Sequence, residues 1–125
     1  RSRVPEMIRA LDSISQRYGV PIVNFGHAGD GNIHVNVMVN LDEPGMDTKV
    51  KQALDDIFRA TVRLGGSVSG EHGIGIAKAD YIGMEVDPET LAVMRAIKQA
   101  LDPNNIMNPG KIFPETSAIH AHPIL

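Results

Sequence analysis

Gly26-His27-Ala28-Gly29-Asp30-Gly31-Asn32-Ile33-His34-Val35-Asn36 is the stretch that decides how this chain folds. Asp30-Gly31 is a strong two-residue hairpin signal, because a type I′ turn needs positive φ at both central positions and Asp and Gly tolerate it. Closure there sets His27 directly opposite His34 and Phe25 opposite Asn36. Directly opposed side chains share one face, with Cβ atoms about 4.5–5.5 Å apart. Beyond the turn, Ile33, Val35, Val37 and Val39 alternate with His34, Asn36 and Met38, so one strand face is expected to be core and the other open. Two neutral imidazoles at chelating distance suit a divalent first-row metal but leave it short of ligands. Glu71, in Gly70-Glu71-His72-Gly73-Ile74-Gly75, is the candidate third ligand. The preceding Gly65-Gly66-Ser67-Val68-Ser69 is small enough for backbone to approach a metal or cofactor closely. A histidine pair alone is more often a packing or surface feature, and Glu71-His72 alone reads as a polar turn. Pair, carboxylate and glycines together read as a site.

Bulk properties narrow the function classes. The 125 residues suit a single domain. Arg1 stands where an initiator methionine would, which gives the expectation of a processed product or a piece of a longer chain. A net charge of −3, a pI near 5.9 and an aromatic content of 4% without tryptophan give neither the basic footprint nor the stacking platforms of a nucleic-acid binder. No apolar run approaches the roughly 18 residues that span a bilayer, and no signal-peptide pattern opens the chain, so a soluble chain is expected. With no cysteine, disulfides, thiolate metal sites and a cysteine nucleophile are excluded, as suits a reducing compartment.

Val4, Met7, Ile8, Leu11, Ile14 and Tyr18 recur at helical spacing, with Pro5 in the first turn and Gly19 just past the end; a helix over Val4 to Tyr18 is predicted. Strands follow over Val20 to Phe25 and Ile33 to Asn40, then a loop at Asp42-Glu43-Pro44-Gly45. Asp47 is read as the N-cap of a second helix with an apolar stripe of Val50, Leu54, Ile57, Phe58 and Leu64, ending at Gly65-Gly66. Asp87 as N-cap, Pro88 at the first position and Leu91, Met94, Ile97 and Leu101 predict a third helix, stopped by Asp102-Pro103. The fold class is therefore α+β, a β-hairpin packed by helices in the order α-β-β-α plus a C-terminal helix. Residues 115–125 carry no periodicity and are expected to be loosely held. A lone hairpin is marginal in water, so missing strands are expected upstream in a parent chain, and the piece by itself is expected to pair with a second copy.

Three motifs in order, His27-x-Gly29-Asp30-Gly31-Asn32-x-His34-x-Asn36, Gly70-Glu71-His72-Gly73-Ile74-Gly75 and Asn108-Pro109-Gly110-Lys111-Ile112-Phe113, resemble the C-terminal part of the FAD-linked 2-hydroxyacid dehydrogenases. That family includes the glycolate oxidase flavoprotein subunit, D-lactate dehydrogenases and D-2-hydroxyglutarate dehydrogenase, within the vanillyl-alcohol-oxidase group. The resemblance runs from Arg1 to about Pro114. It implies the second half of a ferredoxin-like α+β cap over residues 1–114, with FAD bound mainly by an N-terminal domain outside the chain. It further implies that His27, His34 and Glu71 ligate a divalent metal, usually zinc. His72 is implied as catalytic base, Asn36 as substrate contact, and Asn108 and Pro109 as neighbours of the flavin. From the residues alone, Asn36 also reads as a polar residue on a solvated strand face, and Asn108-Pro109-Gly110 as a turn.

The implied chemistry is oxidation of a small D-2-hydroxyacid of the glycolate or D-lactate type to its 2-oxoacid. The metal polarises the hydroxyl, His72 takes its proton, and the flavin accepts hydride before passing electrons to an acceptor whose identity the sequence does not give. Without its flavin domain the chain is expected to be inactive. The location implied is the cytoplasm, with attachment to the inner-membrane periphery as a variant. Two alternatives use the same residues: a metal-dependent hydrolase or oxygenase, and a non-catalytic oligomerisation module. His72 and the Asn108 to Phe113 segment have no task in the first.

Overall fold

The structure, a computed structural model, describes residues 1–114; the expectation for the tail from residue 115 onward lies outside the described residues. The described residues fall into two compact units, the first Arg1–Gly70 and the second beginning at Glu71.

The first unit holds α1 (Val4–Tyr18), β1 (Ile22–His27), β2 (Asn32–Val37) and α2 (Met46–Arg63). The α1 bounds are those the sequence predicts. Pro5 lies in the first turn, and Gly19 closes the helix in the left-handed region, its N–H donating to the Ser15 carbonyl. Met7, Leu11 and Ile14 of α1, Val20, and Ala53, Ile57 and Ala60 of α2 form the buried core. Two small alanines let the helices approach closely, and Leu11 is 0% exposed; burying such a leucine contributes about 1.5–3 kcal/mol. The α2 stripe is therefore built differently from the expected one, with Ala53, Ile57 and Ala60 at its centre and Leu54 and Leu64 at its flank. Asp47 is not the N-cap. Gly45 occupies that position without a side-chain cap, and Asp47 lies in the first turn, where a carboxylate is favoured by the helix dipole. At the rim, Arg17 and the Tyr18 hydroxyl both donate to Asp56 Oδ2 at 2.8 Å, and the hydrogen bond to that carboxylate pushes the Tyr18 pKa up.

The hairpin is antiparallel and two-stranded. Ile22, Ile33, Val35, Val37 and Val39 pack against the core, as the alternation predicts, while Val23, Phe25 and His27 of β1 are exposed. β2 is shorter than expected, β1 begins and ends two residues later than expected at the same length, and the register differs. Phe25 pairs with His34 and His27 with Asn32, rather than His27 with His34 and Phe25 with Asn36. The turn is the reason. His27 and Ala28 carbonyls accept from Asp30 and Gly31 N–H at 2.9 and 3.2 Å, so residues 28–31 form a four-residue connection instead of a two-residue type I′ turn. Gly31 takes positive φ (80°) and Asp30 does not, because the left-handed region costs glycine little and other residues more.

Gly26 fixes the strand crossing. Its φ is 152°, and a Cβ there would lie 2.3 Å from the Asn32 carbonyl oxygen.

In the second unit a 3₁₀ helix, Ala79–Met84, which has no counterpart among the expected elements, precedes α3 (Pro88–Leu101). Ala79, Tyr81 and Ile82 are buried. The Asp87 N-cap is as predicted: Oδ1 accepts from Thr90 N–H at 2.7 Å and Oδ2 from its hydroxyl at 2.9 Å. Of the predicted α3 stripe, Leu91 and Met94 are half-buried, whereas Ile97 and Leu101 are exposed. Asp102 follows the helix and is buried.

Two predictions follow from these constraints. Gly26→Ala must displace a backbone carbonyl rather than a flexible side-chain tip, so it should destabilise the chain by about 1–3 kcal/mol; an unchanged urea midpoint would show that the crossing tolerates a methyl group. Asp87 and Asp102 have pKa values held below the ordinary carboxylate value, the first by Thr90 donors and the second by the Lys98 ammonium. A lowered folded pKa contributes stability above the unfolded value of about 3.9 and loses it as pH falls through the folded value. The C-terminal unit should hold to about pH 4 and weaken below it by circular dichroism, with Asp87→Asn and Asp102→Asn each flattening that dependence. A wild-type signal insensitive to acid would count against both.

Candidate functional site

The open face of the hairpin carries Val23, Phe25 and His27 from β1 and Asn32, His34 and Asn36 from β2. His27 and His34 are diagonal neighbours rather than opposed ones. Their ring centroids lie 5.6 Å apart with planes at 75°, so the pair expected from the sequence does form on one face. Phe25, directly opposite His34, stacks on its ring at 5.0 Å and 22° and thereby limits its rotation. Nothing in the sequence singles out Phe25, because the expected register sets it against Asn36. Asn36 shares this face, exposed and opposite Val23.

The glycine-rich segment reaches the hairpin at Gly70. A Cβ on Gly70 would lie 2.7 Å from Asn32 Oδ1, so only glycine allows the chain this close to the start of β2. One residue earlier, Ser69 Oγ is buried without a hydrogen-bond partner among the described residues. Ser67 Oγ donates to the Ser69 carbonyl at 3.1 Å and accepts from the Ser69 N–H, which fixes the backbone immediately before Gly70.

The second unit begins with Glu71 and His72, whose Oε1 and Nε2 are 3.6 Å apart, with side chains 50% and 70% exposed. Asn108 and Pro109 are exposed in the segment after α3, and Asn108 has a φ of 49°. Within this unit the Ile112 N–H donates to the Gly75 carbonyl at 2.8 Å, tying the segment after Glu71-His72 to the one after Asn108-Pro109. The structure thus joins His27 with His34 on one face and Glu71 with His72 in one short segment. No helix among the described residues is long and apolar enough to cross a membrane.

This chain belongs to the family described as FAD linked oxidases, C-terminal domain, whose model matches residues 1–112. It is 42% identical to glycolate oxidase subunit GlcD of Bacillus subtilis over 113 residues, which is 90% of this chain and 24% of that protein. A D-2-hydroxyglutarate dehydrogenase of Stutzerimonas stutzeri is 38% identical over 115 residues, 89% of this chain and 25% of that protein. A D-lactate dehydrogenase of Anaerostipes hadrus is 35% identical over 112 residues, 89% and 24% of the respective chains. The chain spans about a quarter of the length of the curated relatives it matches.

Proposed function

We propose that this chain is the substrate- and metal-binding C-terminal portion of an FAD-dependent dehydrogenase that oxidises a D-2-hydroxyacid of the glycolate or D-lactate type to the 2-oxoacid. Residues 1–114 form the second half of its ferredoxin-like cap. The observation that carries the reading is the pair of imidazoles 5.6 Å apart on the open hairpin face, in a chain of an FAD-linked family. The relatives' names support the substrate class, since glycolate, D-lactate and D-2-hydroxyglutarate all carry a hydroxyl next to a carboxylate.

His27 and His34 each offer a ring nitrogen and Glu71 a carboxylate oxygen. Two histidines and one carboxylate fit a divalent first-row metal, zinc included, and leave positions open for substrate. When bound, the metal supplies Lewis-acid polarisation and FAD, held mainly by a domain outside this chain, supplies the redox chemistry. His72 accepts the substrate's hydroxyl proton; imidazole is the side chain most often used as a general base, and Glu71 Oε1 lies 3.6 Å from its Nε2. Asn36, on the face shared with His34, binds the substrate's polar groups, and Phe25 holds the His34 ring in place. Asn108 and Pro109 would be the residues of this chain that meet the flavin. Without a flavin domain the chain has no dehydrogenase activity. A free-standing hydrolase or oxygenase gains no support from the FAD-linked family match. The working location is the cytoplasm or the inner-membrane periphery, with electrons passing to a separate acceptor.

Both edges of the two-stranded sheet lack a neighbouring strand within the hairpin unit, so the isolated chain pairs with a second copy, and sedimentation should find a dimer; a folded monomer would overturn the pairing. For the full-length flavoprotein kept free of chelator, metal analysis should give one metal per chain, lost in His27→Ala and His34→Ala. His72→Ala should keep the metal and lower turnover by about 10²–10⁴. Wild-type protein without metal would overturn the ligand assignment, and unchanged turnover in His72→Ala would overturn its role as base.

A further inference from the structure

From Asn105 to Ile112 the chain contains neither helix nor strand, yet its backbone is narrowly set. Asn105, Asn108, Gly110 and Ile112 all have positive φ, at 49°, 49°, 70° and 72°. Asparagine and glycine take that region at modest cost. A β-branched residue such as Ile112 does not, and conformations of this kind persist where the surroundings over-determine them.

The two ends of the segment carry those surroundings. At the far end the Ile112 N–H is held by the Gly75 carbonyl at 2.8 Å. At the near end stands Asp102, the one buried polar or charged residue among those described. Its side chain is 4% exposed. Its carboxylate accepts from the Ile106 N–H at 3.0 Å and the Met107 N–H at 2.9 Å. The Lys98 ammonium donates to the same carboxylate and, at 2.7 Å, to the Met107 carbonyl. Both polar groups of the peptide backbone at Met107, immediately before Asn108, are therefore held by one ion pair, whose carboxylate is buried and whose ammonium is half-buried.

Helix termination does not explain this arrangement. Asp102 lies at the C-terminal end of α3, where the helix dipole disfavours an anion and where a glycine, or Pro103 alone, would stop the helix. Burying a carboxylate is also costly unless it is paired and hydrogen-bonded. Here three donors converge on it, and two of them belong to the backbone leading into Asn108.

We propose that Asp102 is a positioning residue: with Lys98 as its counter-ion, it holds the backbone at Ile106 and Met107 so that Asn108 and Pro109 are preset to meet the flavin. The proposal rests on the assignment of Asn108 and Pro109 to the cofactor. Asp102 itself does not contact the cofactor and acts only through the loop.

A double-mutant cycle in the full-length flavoprotein tests it, with FAD dissociation followed by flavin fluorescence and the flavin environment by the shape of its visible absorption band. Asp102→Asn keeps the shape of the side chain but removes the charge that Lys98 pairs with; Asn108→Ala removes the proposed contact. Each single variant should weaken FAD binding about 10-fold and alter the band, and the double variant should be no weaker than the worse single one. Multiplicative losses, or unchanged FAD affinity in Asp102→Asn, would overturn the positioning role. Wild-type affinity in Asn108→Ala would overturn the cofactor assignment itself, and the positioning role with it. If Asp102→Asn does not yield folded protein, Lys98→Met, which removes the ammonium shared by Asp102 and the Met107 carbonyl, enters the same cycle with the same expected outcomes.

Discussion

The two-residue alternation of side chains along the hairpin is the constraint on which the rest depends. A slip of one residue between β1 and β2 would carry His27 to the face of Ile33 and Val35, against the hydrophobic core. A slip of two exchanges partners but keeps every side chain on its face. The difference between the expected pairing of His27 with His34 and the observed pairing with Asn32 is a slip of the second kind. The two imidazoles consequently share the open face in either register, and what changes is the neighbour that His34 stacks on. Phe25 gains that position only because the turn takes four residues instead of two.

This parity explains what was legible in the sequence. The face of each strand follows from alternation over five or six residues, a signal that one misplaced turn residue does not erase. The turn type depends on a choice at Asp30, where the side chain tolerates positive φ but does not demand it, and Gly31 alone takes the left-handed position. Helix ends divide in the same way. At α1 and α3 a proline in the first turn restricts the backbone directly, and both starts match the expectation. At α2 the start falls one residue before Asp47. Gly45 and Asp47 both suit a helix entrance, and only the packing of Met46 against the core separates them.

Ala53 and Ala60 illustrate a different limit. A search for apolar stripes gives most weight to large side chains, so Val50 and Phe58 stand out in the sequence, yet both are only half-buried. Close approach of α1 and α2 needs small residues at the crossing, and these are visible only once the partner helix is in place. The 3₁₀ helix at Ala79–Met84 went unread because a single short turn offers no repeat to detect.

The candidate site residues themselves have little burial to hold them. His27, Asn36, Glu71, His72, Asn108 and Pro109 are all exposed, so the hydrophobic effect does not fix their side chains. Their backbones are tied instead: the hairpin register sets His27, His34 and Asn36, and the Asp102 carboxylate holds the peptide N–H groups just before Asn108. Such ties are few and directional, and losing one leaves no packed surroundings to take over its task. That is why the glycines and the acid at the helix end matter to this site as much as the residues whose chemistry is evident from their type. Asp102-Pro103 reads as a simple stop in the sequence, since nothing in an Asp-Pro pair signals that the carboxylate will turn inward to meet the two N–H groups four and five residues further on.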